Sequence, residues 1–211
     1  MAEELGKIEK LDIDQFGLRK LYVVPLIFSG SDAPADYKEK LERYWREVNE
    51  QIANQELKVG KIKRIYHESM SVGGEEGLKI IGEINPLSYL IAKDKFDCGA
   101  VFEATEQAEL ADECMDWERC LLMGLFSRKA METVAEAYQQ CSRKRFEYIG
   151  SRISETLQKD ETAILFIREG HGVQFAKDIE VFSVAPPALD DVHRWLRDRS
   201  KQTEEKDDPK K

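Results

Sequence analysis

The sequence predicts an α/β protein with a mostly parallel sheet of about five strands, and three observations carry that expectation. Short apolar runs of strand length alternate with longer stretches whose apolar residues recur every three or four positions. The two strongest runs, KLYVVPLIF (20–28) and TAILFIRE (162–169), are almost continuously apolar, as in strands covered on both faces. Helical stretches separate most of the strand candidates, the order expected of crossover connections.

Residues 1–18 read as a polar, flexible lead-in to a single domain over 19–200. The first strand, 20–28, contains Pro25, which suggests an edge position or a bulge because proline donates no ladder hydrogen bond. After the turn SGSDAP a helix opens at Pro34, with Asp36 favouring its positive end. Tyr37, Leu41, Tyr44, Trp45, Val48 and Ile52 then keep a 3.6-residue period until Gly60. KIKRIYHES (61–69) alternates, placing Ile62, Arg64 and Tyr66 on one face of a second strand. VGGEEGL then begins a glycine-rich turn, read as flexible or as a lid, followed by a helix broken near Asn85-Pro86. CGAVFEA (98–104) is the third strand, with Cys98 in the core.

From 105 to 160 no proline occurs, and Gly124 followed by Ser127 divides the segment into two helices. This insertion exceeds a simple crossover, so a protruding hairpin or a dimer contact is expected. Met131, Val134, Ala135, Tyr138, Phe146, Ile149, Ile153 and Leu157 share one face of its second helix. Residues 162–169 and 178–184 form the fourth and fifth strands. Pro186-Pro187 opens a last helix with Leu189, Val192, Trp195 and Leu196, and 201–211 read as a disordered charged tail.

The charge balance of −9 argues against a general nucleic-acid or anionic-membrane binder, since both need clustered positive charge. The Arg143-Lys144-Arg145 cluster is too short, and too poor in exposed aromatics, to change that. The N-terminus lacks the apolar core of a signal peptide, and no run reaches the roughly 18 apolar residues of a membrane helix. A cytoplasmic protein is therefore expected. Cys98, Cys114, Cys120 and Cys141 form no C-x-x-C pair and read as free thiols, mostly in helices.

In a parallel sheet the C-terminal strand ends share one edge, where open α/β sheets bind ligands. That edge would gather Asp32, His67, Glu68, Gly170 and His171 as candidate ligand-binding residues. Glu103, Glu106, Glu169 and His171 are candidate ligands for a divalent metal, with Glu169 and His171 the catalytic candidates. Glycines on both sides of His171 permit unusual backbone angles and close approach of a ligand. Against this reading, no established metal-ligand motif is present, and strand ends are polar in any protein. The glycine-rich loop at 71–77 matches no nucleotide motif, and Glu75 and Glu76 would repel a phosphate. Seven acids between Glu103 and Glu118 suit a helix N-terminus, and the arginines near 143–152 suit the opposite pole. The expectation is a protein that binds a small ligand or a protein partner and forms a homodimer through its helices. The alternative is a divalent-metal-dependent hydrolase of phosphate esters or amides, working at the sheet edge.

Overall fold

A computed structural model describes residues 18–30 and 32–207, with side chains to 201. It contains a five-stranded, all-parallel sheet in the order β3-β2-β4-β1-β5. The strands are β1 (Arg19–Pro25), β2 (Ile62–His67), β3 (Val101–Phe102), β4 (Thr162–Ile167) and β5 (Ile179–Ser183). The helices are α1 (Ala35–Val59), α2 (Gly74–Ile84), α3 (Pro86–Asp97), α4 (Ala108–Leu122), α5 (Arg128–Thr156) and α6 (Ala188–Asp207).

β4 sits at the centre and separates β1 from β2, so α1 crosses over it. All six of its residues are buried, because both sheet faces are covered there. Ile164 and Phe166 join Tyr22, Val24 and the apolar sides of α1, α2, α3 and α6. Ala163, Leu165 and Ile167 join Leu21, Tyr66 and the inner half of α5 on the opposite face. The continuous apolar run at 163–167 thus reflects two cores, one for each side of the pleat.

α1 buries all six residues picked out by its period. Tyr44 and Trp45, though adjacent, both reach the same core and meet edge to face at 5.1 Å. Pro25 occupies neither an edge strand nor a bulge: it is the last residue of a central strand, where the ladder ends and its missing N–H costs nothing. Its carbonyl accepts a hydrogen bond from the Tyr44 hydroxyl at 2.5 Å.

β2 departs from simple alternation. A register shift between Ile62 and Arg64 turns the strand, so Ile62 and Ile65 share one core while Tyr66 enters the other. The glycine-rich turn is a packed element rather than a lid. A Cβ on Gly73 would come 2.8 Å from the Phe102 carbonyl, and one on Gly77 would strike the Phe102 ring and the Val72 carbonyl. Small residues are needed there for α2 to lie against β3. β3 spans two residues, and Cys98 is not a core residue of it but the exposed C-cap of α3.

Asn85 ends α2 and caps α3, its side chain accepting a hydrogen bond from the Ser88 N–H at 3.2 Å. Ser127 caps α5 through the Ala130 N–H at 3.4 Å. The C-terminal carbonyls of α5 are met from another element: Arg19 on β1 donates to Ser154 O and Leu157 O, and pairs with Asp178 at 2.8 Å. α6 runs on to Asp207, into the stretch expected to be a disordered tail, since nothing in SKQTEEKD breaks a helix. Its Leu189 and Val192 are buried, whereas Leu196 is exposed. The lead-in at 1–17 and residues 208–211 lie outside the described residues.

The 105–160 insertion is a helical hairpin, α4 and α5, as its length and punctuation predicted. Cys114 and Cys141 are joined in a disulfide between these helices, with Cα atoms 5.6 Å apart, so they are not free thiols. Their separation of 27 residues matches no motif, and only the pairing of the helices brings them together. Cys120 is half-buried and free.

Candidate functional site

The C-terminal ends of β2, β3 and β4 carry a buried ionic cluster. Glu68 follows β2, Glu106 lies between β3 and α4, and both are 1 % exposed. Arg145 on α5 reaches between them. Its Nε and Nη2 form a two-pronged contact with Glu106, and Nη2 also donates to Glu68 Oε1 at 3.1 Å. Glu68 accepts from the Arg168 backbone N–H at 2.6 Å and from its guanidinium. Glu106 accepts from the Ser69 N–H at 2.5 Å. Burial opposes the charge on Arg145, but its hydrogen bonds and ion pairs with Glu106 and Glu68 outweigh that and raise its pKa above the ordinary value.

A second, more open cluster flanks the first. Arg64 on β2 bridges Glu103 and Glu161, the latter at 2.6 Å, and Arg152 approaches Glu103 at 3.9 Å. Burial works against the charge of Arg64, and its two carboxylate partners restore it. Arg145 and Arg152, read as helix-pole charges, therefore reach into the sheet edge instead, while Arg143 stays exposed. No local pattern marks these sheet-edge contacts, because the Glu68, Glu103 and Glu106 partners lie 39 residues or more away along the chain.

His67 is the last residue of β2 and is buried. Its Nδ1 is 2.7 Å from the Glu68 carbonyl, which can only accept, so that nitrogen carries the proton. Its Nε2 lies 3.1 Å from the Ser88 hydroxyl. Burial pushes its pKa down to about 4. This is a satisfied, neutral core histidine, with no free nitrogen for a ligand.

The remaining candidates lie beyond β4 and beyond β1. Gly170 has φ of 71°, which its lack of a side chain permits. Glu169 contacts His193 of α6 at 2.6 Å. His171 is half-buried, stands edge-on to Phe175 at 6.0 Å, and keeps a buried Nδ1 with no hydrogen-bond partner. Burial lowers its pKa, with Glu68 opposing. Arg168, Glu169, Gly170, His171 and Ser183 line a shallow cleft of about 210 Å³ over the ends of β1, β4 and β5. Asp32 lies exposed in the loop after β1, away from that cleft.

Three of the four metal candidates, Glu103, Glu106 and Glu169, therefore have other partners. Glu103 and Glu106 are held by guanidinium groups, and Glu169 by His193. Among the described residues, no group of three or more His, Cys, Asp or Glu is placed to hold a metal ion. What the buried cluster does is anchor the hairpin. Glu106 leads into α4, Arg145 belongs to α5, and Glu118 of α4 approaches Arg168 at 3.7 Å. Both helices are thereby tied at their base to the strand ends.

Outward of this anchor the hairpin is a bare arm. None of residues 115–140 is buried, and α4 has one buried residue, Cys114. Leu122 and Met123 are 82 % and 80 % exposed, Phe126 is fully exposed, and Met115 and Met131 are nearly half exposed. The wide apolar face expected of α5 is thus divided: Ile149, Ile153 and Leu157 are in the core, while Met131 is in solvent. Among the described residues, no helix is long and apolar enough to cross a membrane. No protein-family model matches this chain, and no curated protein or solved structure matches it.

Proposed function

We propose that this protein acts by binding, that the α4–α5 arm is its contact surface, and that the occupant is a second copy of the chain. One observation carries the reading: the outer arm buries none of its residues 115–140, yet presents Leu122, Met123 and Phe126 together at its tip. Contiguous apolar surface on a projecting element marks an interaction site, because leaving it in water gains nothing for the monomer.

Charge favours a second copy. α4 carries Glu109, Asp112, Glu113, Asp116 and Glu118 against Arg119 alone. Outward of Cys141, α5 opens with Arg128 and Lys129 and continues with Glu132 and Glu136. Two arms related by a two-fold axis would set the acidic α4 of one against Arg128 and Lys129 at the start of α5 in the other. Such self-complementarity is what an isologous interface requires, and the product is a four-helix bundle. Metal-dependent hydrolysis is the weaker reading, since a cation would have to displace guanidinium groups already hydrogen-bonded to Glu68, Glu103 and Glu106.

Light scattering tests this directly. At tens of micromolar the wild-type chain should show about twice its monomer mass of 24.3 kDa, and a Leu122→Glu/Phe126→Glu variant should return to the monomer. A wild-type mass near 24.3 kDa throughout would overturn the proposal.

A further inference from the structure

The Cys114–Cys141 disulfide lies at a mechanically decisive point. Inward of it, Arg145 stands one helical turn beyond Cys141 and is locked to Glu68 and Glu106. Outward of it, residues 115–140 have no buried side chain to hold them. Cys114 and Cys141 are themselves 3 % exposed, and among the described residues α4 meets no element but α5 through more than marginal contact. The outer arm is therefore a 26-residue excursion whose ordering rests on one crosslink, on half-buried side chains and on the partly exposed Glu118–Arg168 pair at 3.7 Å.

We propose that Cys114 and Cys141 form a two-electron redox switch that sets the order of the outer arm. As a disulfide, the pair closes the excursion and restricts the states open to the unfolded arm. As two thiols, it leaves a helical pair with too little apolar burial to stay ordered. Taking the arm as the dimer contact proposed above, oxidation would also promote self-association.

The chemistry is thiol–disulfide exchange with a low-molecular-weight disulfide, RSSR. One cysteine thiolate attacks a sulfur of RSSR, forming a protein–SR mixed disulfide and expelling RS⁻. The second thiolate attacks the protein sulfur of that mixed disulfide, closes the Cys114–Cys141 bond and expels another RS⁻. The two protons lost by the protein thiols go to the two leaving thiolates. The protein is oxidised by two electrons and RSSR is reduced to 2 RSH, and excess RSH reverses both steps.

The full chain should be equilibrated across glutathione/glutathione disulfide buffers and read three ways: alkylation mass spectrometry, limited trypsin digestion, and light scattering. The pair should interconvert reversibly. Reduction should raise trypsin cleavage after Arg119, Arg128 and Lys129 by about tenfold or more, without exposing sites in the sheet. Cys98→Ser/Cys120→Ser should keep this response, and Cys114→Ser/Cys141→Ser should be cleaved at the reduced rate in every buffer. Equal cleavage of the oxidised and reduced wild type would overturn the switch, as would failure of the pair to oxidise. If cleavage changes while the mass stays monomeric in both states, the switch stands and the dimer reading fails. If the chain is equally dimeric and equally cleaved in both states, the dimer reading stands and the switch fails.

Discussion

β4 and α4 live in opposite environments, one an almost continuously apolar strand and the other an acid-rich helix. All six residues of β4 are buried, whereas α4 buries only Cys114 among fifteen. α5 contains both conditions in one helix: its buried residues begin at Cys141 and continue to Ile153, while its first three turns lie in solvent. The difference teaches that apolar periodicity records which side chains can be covered, not what covers them. β4 is covered by helices from both sides of its own chain. Among the described residues the outer arm has no such cover, and its stability must come from the disulfide, the ion pairs to the strand ends, or another molecule.

The sharpest way to break this comparison is in β4. Phe166 lies in the core beside Trp45 and His67, at 6.1 and 5.6 Å between ring centroids. Phe166→Ala should cost about 3–5 kcal/mol by denaturant titration, the usual range for a buried aromatic. A loss below about 1 kcal/mol would mean that the central strand is not packed as described.

Next in size is the anchor. Arg145→Met would leave Glu68 and Glu106 buried without their shared cation, a loss of about 3–5 kcal/mol for an unpaired buried charge. Adding Glu68→Gln and Glu106→Gln to that variant should recover part of the loss, as an uncharged cluster has less to desolvate. If Arg145→Met alone proves neutral, the cluster is not an energetic anchor.

His67 supplies a pH signature of the body. Its folded pKa of about 4 lies below the ordinary 6.5, so the unfolded chain binds the proton first as pH falls. Stability from this group is intact above about pH 6.5 and is lost progressively between 6.5 and 4, about 3 kcal/mol in all. His67→Asn should flatten the wild-type decline over that window, measured as the shift in urea midpoint between pH 7 and pH 4. An unchanged slope would show that the histidine titrates normally in the folded state.

The smallest effect is expected at the tip of the arm. Phe126→Glu in the monomer should change stability by no more than about 0.5 kcal/mol, because the ring touches too little to be missed. A larger loss would place the ring in a contact within its own chain and remove the contrast with β4.

The candidate site was only half legible. Strand ends at His67-Glu68, Glu103 and Glu169-Gly170-His171 follow from periodicity, and the parallel order that gathers them follows from helix alternation. Their partners do not. Glu68 and Glu106 looked available for a cation because the arginines that pair with them, Arg145 and Arg168, arrive from 39 to 100 residues further along the chain. His67 looked like a rim residue, but the register of β2 against β4 draws it inside.

The amino-acid order alone determined the elements and their class: helix periods, the cap at Ser127, the break at Asn85-Pro86 and the doubly apolar run of β4 are local properties that each segment carries with it. Tertiary structure decided the strand order, the Cys114–Cys141 pairing, the guanidinium–carboxylate cluster, and which apolar faces stay in water. The physical reason is the range of the interactions. Backbone hydrogen bonding and side-chain periodicity act over a few residues, so they can be read in order along a chain. Ion pairing, disulfide geometry and burial act between atoms a few ångströms apart in space, wherever in the sequence those atoms begin.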